Sequence, residues 1–279
     1  MTDSGAKAMG SLFDLLLDFV DSSRAHDSNY DIAQCLVRNY SQLAGLSLRD
    51  MASLCYVSPA SFSRFCRHLG FENFAEFKDA MSSANYRLSD DYTREFLSEL
   101  AQDSNAALAS YRSTLVDLIN TTLDDKNLAV VPQVLDAIEH ARRVVFFSHH
   151  FLRHIGNYFQ SKMLLLGKYV ELYESYAHQR EAAQSLQKGD VAIVFSINGT
   201  YFSHYVEIAR EIFDGGATVV ALTQNPRAMY INRVDYLLSC GNTNENDLGK
   251  YAALMCVDYL VMSYLRRREQ QLSDGAANF

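Results

Sequence analysis

The chain has 279 residues, of which 48% are hydrophobic and 21% charged, and its formal net charge at pH 7 is −8. This length predicts two domains, and the composition is that of a globular protein with a sizeable core. No apolar run reaches the roughly 18 to 20 residues that cross a bilayer, and the N-terminus lacks a signal-peptide pattern, so we expect a cytoplasmic protein with no membrane partner. The acidic net charge argues against non-specific nucleic-acid binding but permits a local basic patch.

The cysteines are odd in number and widely scattered, and most of them lie on apolar helical faces. This pattern is typical of reduced core thiols rather than of a disulfide framework or a zinc cluster. We therefore expect no metal and no cofactor, and packing roles for Cys35, Cys55, Cys66, Cys240 and Cys256.

Residues 1–82 show apolar residues at helical spacing and no strand pattern. Ser47 and Asp50 form a capping-box pattern, which predicts a helix that begins at Leu48. After a break, Ser58 is placed as the N-cap of a second helix and Pro59 as its first residue. Two short helices joined by a tight turn predict a helix-turn-helix.

The second of these helices has one apolar face and one polar face. Its apolar positions repeat at helical spacing and the helix should end at Gly70. Three arginines and one aspartate lie between Leu48 and Leu69, so this patch is basic although the chain is acidic. The face is therefore predicted to bind DNA in the major groove, where small residues permit close approach and arginines reach guanine or phosphate. The predicted DNA-binding residues are Ser58, Ala60, Ser61, Ser63, Arg64, Arg67 and His68, opposite the buried Phe62, Phe65, Cys66 and Leu69.

The alternative at this point is a structural helical hairpin whose outer face is only solvated. Tyr56 stands in the turn, where a glycine often serves, and this counts slightly against DNA binding. The sharp break before Pro59 counts in its favour.

Residues 83–127 are more polar and then take up a helical register, which predicts a helical connector. Residues 128–279 alternate strands with amphipathic helices, which predicts right-handed crossovers and a parallel sheet covered on both faces. The predicted fold is thus an all-α N-terminal domain followed by an α/β domain, a flavodoxin- or Rossmann-like sandwich around a parallel five-stranded sheet. The expected strands are 144–147, 170–173, 191–196, 218–223 and 236–238, and the expected helices are 132–141, 152–166, 179–186, 201–213 and 248–267.

The segment LSLRDMASLCYVSPASFSRFCRHLGFENFAEFK resembles the helix-turn-helix of the RpiR/MurR-type bacterial transcriptional regulators. The α/β half is similar to the sugar isomerase (SIS) fold that these regulators use as an effector domain. This resemblance implies a homodimer or tetramer that binds a double-stranded DNA operator and responds to a small-molecule effector, a phosphorylated sugar.

Ligands of open parallel sheets bind beyond the carboxyl ends of the strands. The loop Ser196-Ile197-Asn198-Gly199-Thr200 can cradle a phosphate, and it is similar to the phosphosugar loop of the SIS family, with Asn198 replacing a common serine. A plain strand-to-helix turn is the alternative. The effector-binding residues predicted in this loop are Ser196, Asn198, Gly199 and Thr200.

The loop after the first strand, Ser148-His149-His150-Phe151-Leu152, departs from the family pattern. It lacks the usual glycines, and Leu152 stands where the family has a hydroxyl, so a changed or lost effector is favoured. We expect Ser148, His149 and His150 to contact an effector anion, with a metal on His150 and His154 as a weaker alternative.

The sequence thus predicts a transcriptional regulator that is not an enzyme. A phosphosugar isomerase is the main alternative, with Glu245 or a loop histidine as acid or base, although no acid/base constellation is evident. A dimerisation module that has lost its ligand is a third alternative.

Overall fold

The computed structural model describes residues 12–23, 27–43, 45–83, 92–149, 151–173, 176–241 and 247–276. The chain divides into two compact units. The first consists of residues 1–86 with the short segment 175–177, and the second consists of residues 87–174 and 178–279. Within the described residues, no helix has the length and apolar character needed to span a bilayer.

The first unit contains only helices in its described part. The predicted capping box is confirmed, because Ser47 Oγ accepts a hydrogen bond from Asp50 N and Ser47 N donates to Asp50 Oδ2. Ser58 Oγ likewise accepts a bond from Ser61 N, and Pro59 opens the next helix as predicted. The helices of this unit are α1 (Leu12–Ser22), α2 (Ser28–Arg38), α3 (Leu48–Leu54), α4 (Pro59–His68) and α5 (Phe74–Ser83), with a 3-10 turn at Tyr40–Gln42.

The core of the first unit is built around α4. Phe62 and Phe65 have no exposed surface, and the Phe62 ring centroid lies 6.1 Å from that of Phe65 and 5.9 Å from that of Phe77. Cys66 lies in the same core, where burial raises the pKa of its thiol to about 12. A thiol with that pKa stays protonated at neutral pH, in agreement with the predicted packing role.

The second unit is an α/β sandwich. Its five strands are all parallel and lie in the order β2-β1-β3-β4-β5, which confirms the predicted sheet. The described helices are α6 (Arg94–Gln102), α7 (Ser104–Thr122), α8 (Asp125–Leu128), α9 (Val131–His140), α10 (Leu152–Leu165), α11 (Tyr176–Gln184), α12 (Thr200–His204), α13 (Val206–Asp214) and α14 (Gly249–Ala276). The strands are β1 (Arg143–Phe147), β2 (Glu171–Leu172), β3 (Asp190–Phe195), β4 (Thr218–Thr223) and β5 (Tyr236–Ser239), with a 3-10 turn at Ile231–Arg233.

Two helices differ from the sequence prediction. The helix expected over 201–213 is two helices, because the backbone leaves the helical range at Tyr205, where ψ is 54°. The helix expected to end at Arg267 continues to Ala276. Its apolar periodicity stops near Arg267, but the following residues are good helix formers, and Arg268 bonds to Glu139 of α9.

We expect Phe62→Ala to destabilise the first unit by about 3 to 5 kcal/mol, because it removes a fully buried ring from a packed aromatic cluster. Phe151→Ala is a matched control, since that ring is 51% exposed. Chemical denaturation followed by circular dichroism measures both. Similar unfolding midpoints for the two variants would contradict the assigned core.

Candidate functional site

The outer face of α4 is exposed along its length. Ala60, Arg64 and Arg67 are all exposed and point away from the buried Phe62 and Phe65. This separation follows from helical periodicity, since residues three and four apart share a face. The structure therefore presents a small residue and two cations side by side on the second helix of a helix-turn-helix.

Hydrogen bonds at the beginning of α4 position part of this face. Ser58 Oγ lies 3.0 Å from Ser61 Oγ, and Arg64 Nη2 donates to Ser61 Oγ at 3.1 Å. Arg64 is thus drawn toward the N-terminal half of the helix, the part that reads bases in helix-turn-helix proteins. The Arg67 guanidinium makes no hydrogen bond or ion pair with any described residue, so it is available to a phosphate.

Two of the predicted DNA-binding residues lie at the margins of the face. Ser63 is half-buried on one flank. His68 is exposed, but its ring packs edge-on against Phe19 of α1 at a centroid distance of 5.6 Å. The centre of the surface is therefore formed by Ala60, Arg64 and Arg67, with Ser58 and Ser61 at its beginning.

The second candidate site lies in the sheet of the second unit. The strand order reverses direction between β1 and β3, and such a switch point is where open α/β sheets bind ligands. Phe147 pairs with Val194, so the two strands end next to each other. The segments that the sequence identified, 148–152 and 196–200, follow these two strand ends.

The loop after β3 is a tight, internally bonded turn. Ser196 is buried and its Oγ accepts a hydrogen bond from Tyr201 N at 3.0 Å. Asn198 is exposed and is held through its Oδ1 by Gln224 Nε2 at 2.7 Å. Gly199 has a φ of +74°, and a Cβ there would lie 2.4 Å from Ala228 Cβ, so only glycine fits. Thr200, half-exposed, begins α12.

Side chains of the loop after β1 are buried or pack against neighbouring rings. Ser148 is 1% exposed, and its Oγ has no hydrogen-bond partner among the described residues. The His149 ring lies 5.8 Å from the Tyr201 ring and 5.7 Å from the Tyr205 ring. Leu152 is buried in the core. His150 and Glu245 lie outside the described residues, so the alternatives that involve them stay untested.

A buried glutamine joins the two loops. Gln179 of α11 accepts a hydrogen bond from Tyr201 Oη at 2.7 Å. Its Nε2 donates to the Ser148 carbonyl at 3.0 Å and to the Tyr173 carbonyl at 2.8 Å. Tyr201 itself has no exposed surface. This bridge holds the Tyr201 ring beside the Ser196 loop.

Sequence reasoning missed the part that Gln179 plays in this site. A lone glutamine in an amphipathic helix gives no periodic signal, and its role appears only when the sheet brings three segments together. Phosphate binding requires several donors that point at one place. The described loops offer few such donors, because the Tyr201 N–H already donates to Ser196 Oγ and Ser148 is buried.

Comparison with known proteins agrees with these features. Residues 20–86 match the family model described as a helix-turn-helix domain of the rpiR family. A protein of Haemophilus influenzae named as an uncharacterised HTH-type transcriptional regulator is 26% identical over 255 residues, which cover 88% of this chain and 87% of that protein.

Two solved structures are also similar. The Vibrio vulnificus NanR protein complexed with ManNAc-6P aligns over 94% of this chain and 97% of that chain, with 19% identity and a TM-score of 0.50. The sugar isomerase domain of an RpiR transcription factor from Sphaerobacter thermophilus aligns over 64% of this chain and 99% of that domain, with 15% identity and a TM-score of 0.46. The first of these shows that the fold is shared.

The family match lies on the helix-turn-helix that the sequence predicted, and the shared fold extends through the parallel sheet. Residues 20–86 therefore form a helix-turn-helix domain of the rpiR family, and the chain as a whole shares the fold of the Vibrio vulnificus NanR protein.

Proposed function

We propose that α4 is the recognition helix and that the protein binds a double-stranded DNA operator through Ala60, Arg64 and Arg67. The observation that carries this proposal is the exposed basic face of α4, held by a core that buries its opposite side. Because a bacterial regulator must reach the chromosomal DNA, we propose that the protein is cytoplasmic. An electrophoretic shift with DNA from the region upstream of its own gene tests the proposal.

The second unit is proposed to bind a small-molecule effector at the β1 and β3 loops. The Vibrio vulnificus relative was solved with ManNAc-6P, which supports a sugar-derived ligand for this fold. In this chain the Gln179–Tyr201 bridge and the buried Ser148 leave less room for a phosphate beside these two loops. The effector would therefore be a less charged or smaller metabolite, or would bind only after Tyr201 moves.

We further propose that the protein acts as a homodimer. Helix α6 has no buried residue, although Leu97 and Leu100 are only 40% and 39% exposed. On α7, Leu108 and Val116 are 56% and 49% exposed. Apolar side chains of this number on neighbouring helices favour a partner surface, and a second copy of the chain is the proposed partner, because two-fold homodimers are the commonest protein assemblies.

Regulation would follow from coupling between the two units. An effector that binds one dimer geometry more tightly shifts the population toward it and changes the spacing of the two recognition helices. An isomerase would need an acid and a base placed on either side of a sugar. The relative from Haemophilus influenzae is named as a regulator, which supports the assignment as a non-enzyme.

We expect Arg64→Ala and Arg67→Ala each to weaken operator binding by about 1 to 3 kcal/mol, or about 5- to 150-fold, without unfolding the protein. Arg64→Ala should also relax the preference for one base pair, because that side chain lies toward the reading end of the helix. Fluorescence anisotropy with labelled operator measures both effects. Arg112→Ala, an exposed arginine of α7, is the control. Parental affinity in both α4 variants would refute the recognition-helix assignment.

The operator should be a pseudo-palindrome, because a two-fold dimer presents two equivalent recognition helices. Footprinting should show two protected half-sites whose centres lie about one helical turn of DNA, or a multiple of it, apart. A single asymmetric half-site protected by a monomer is the contrary result.

Common hexose phosphates should bind weakly, with a Kd in the millimolar range, which is about 10- to 1000-fold weaker than a fully formed phosphate site. The physical reason is the loss of one or two donors: Leu152 replaces a hydroxyl, and the Tyr201 N–H already donates to Ser196 Oγ. Calorimetric titration with a panel of sugar phosphates at two pH values measures this. A loop histidine that is protonated at the lower pH would add attraction that fades as the pH rises.

Leu152→Ser is the matched variant in that titration, because it restores a hydroxyl and should tighten binding if it is tolerated in the core. Micromolar binding of an ordinary hexose phosphate by the parent, unchanged in Leu152→Ser, would show that the loop is a working phosphate site.

A further inference from the structure

Among the described residues, three helices end with the same hydrogen-bond motif, and one of the three lacks glycine. At the end of α4, Gly70 N donates to Arg67 O and Phe71 N donates to Cys66 O, both at 3.0 Å. At the end of α10, the same pair of bonds surrounds Gly167. At the end of α3, Tyr56 N donates to Ser53 O at 3.1 Å and Val57 N donates to Ala52 O at 2.9 Å. This pattern is the Schellman motif.

The residue inside this motif must adopt a left-handed backbone. Its φ is +96° at Gly70, +80° at Gly167 and +56° at Tyr56. A side chain with a Cβ disfavours this region, and an aromatic residue there is uncommon. The protein uses glycine at the ends of α4 and α10 but places tyrosine in the turn of the helix-turn-helix.

Burial of the Tyr56 side chain does not offset the free-energy cost of its left-handed backbone. Tyr56 is 97% exposed, the largest exposure among the large hydrophobic side chains of the described residues. Its hydroxyl makes no hydrogen bond to any described residue. A strained backbone combined with a fully presented ring points to a role outside the first unit, since such strain concentrates at binding surfaces.

The position of Tyr56 indicates which partner it meets. It lies two residues before Ser58, the cap of the recognition helix, and on the chain segment between the exposed Arg49 and Arg64. Tyrosine hydroxyls are among the groups that bond to DNA phosphates, and such contacts fix the register of a protein on the duplex. We propose that Tyr56 is a DNA-backbone contact that positions α4 on the operator. This inference rests on the proposed DNA-binding function.

If the uncharged Tyr56 hydroxyl donates to a DNA phosphate, removing it should affect DNA binding differently from removing an arginine. The contact is independent of sequence, so its loss should weaken binding to operator and to a scrambled duplex by the same factor. It releases no counterion, so the dependence of affinity on salt should keep its slope. Arginine contacts differ on both points, since a base contact changes specificity and a charged phosphate contact changes the slope.

The experiment uses the full chain with the upstream duplex and with a scrambled duplex of the same length and composition, both at low salt. Tyr56→Phe keeps the backbone strain and the ring but removes the hydroxyl, and it should weaken binding to both duplexes about 5- to 20-fold. Tyr56→Gly should weaken binding at least as much while raising Tm by up to about 5 °C, because it relieves the left-handed backbone. Tyr169→Phe is the control, an exposed tyrosine of the second unit.

The possible results distinguish a failure of the Tyr56 contact from a failure of the proposed DNA-binding function on which it rests. Parental affinity of both Tyr56 variants for both duplexes overturns the backbone contact, while the proposed function stands on the parent's preference for upstream DNA. A loss confined to the upstream duplex also overturns it, because the contact would then be to bases. If the parent binds neither duplex, the proposed function itself fails, and the inference fails with it.

Discussion

The structure of the first unit depends on the burial of one stripe of α4. Phe62, Phe65 and Cys66 lie in the core, and the same helix therefore has to present the opposite positions to solvent. The Ser58 cap fixes where that helix begins, and the spacing of its apolar residues decides which positions face the core. A rotation of the helix about its axis by one position, about 100°, would move Arg64 or Arg67 toward the core. The burial of this stripe thus sets both the core and the surface that is proposed to bind DNA.

In the second unit, the sheet sets where a ligand can bind, and the loops set which ligand chemistry fits. A parallel sheet with this strand order brings the ends of β1 and β3 together whatever the loops contain. The loops then decide the chemistry, and here Gln179 joins them through bonds to Tyr201 and to the Ser148 carbonyl. A shared sheet therefore does not by itself identify a ligand.

Local signals made much of the fold predictable. The caps at Ser47 and Ser58, the buried stripe of α4 and the five parallel strands all follow from residue type and periodicity, and the structure has them. The break at Tyr205 and the bridge through Gln179 were not predictable, because they depend on contacts between segments far apart in the chain. The extension of α14 was missed for the opposite reason: helix propensity continues after the apolar pattern has stopped. Tyr56 was identified as unusual, but only the backbone geometry shows that it occupies a glycine position.

We propose that this protein recognises a particular DNA sequence through an exposed helix. An equilibrium titration of the full chain with upstream DNA and with scrambled DNA, repeated over a range of salt concentrations, tests this directly. We expect a preference for the upstream duplex of about a thousandfold or more, with an affinity for both duplexes that falls as salt rises. Equal affinities for the two duplexes at every salt concentration would contradict it.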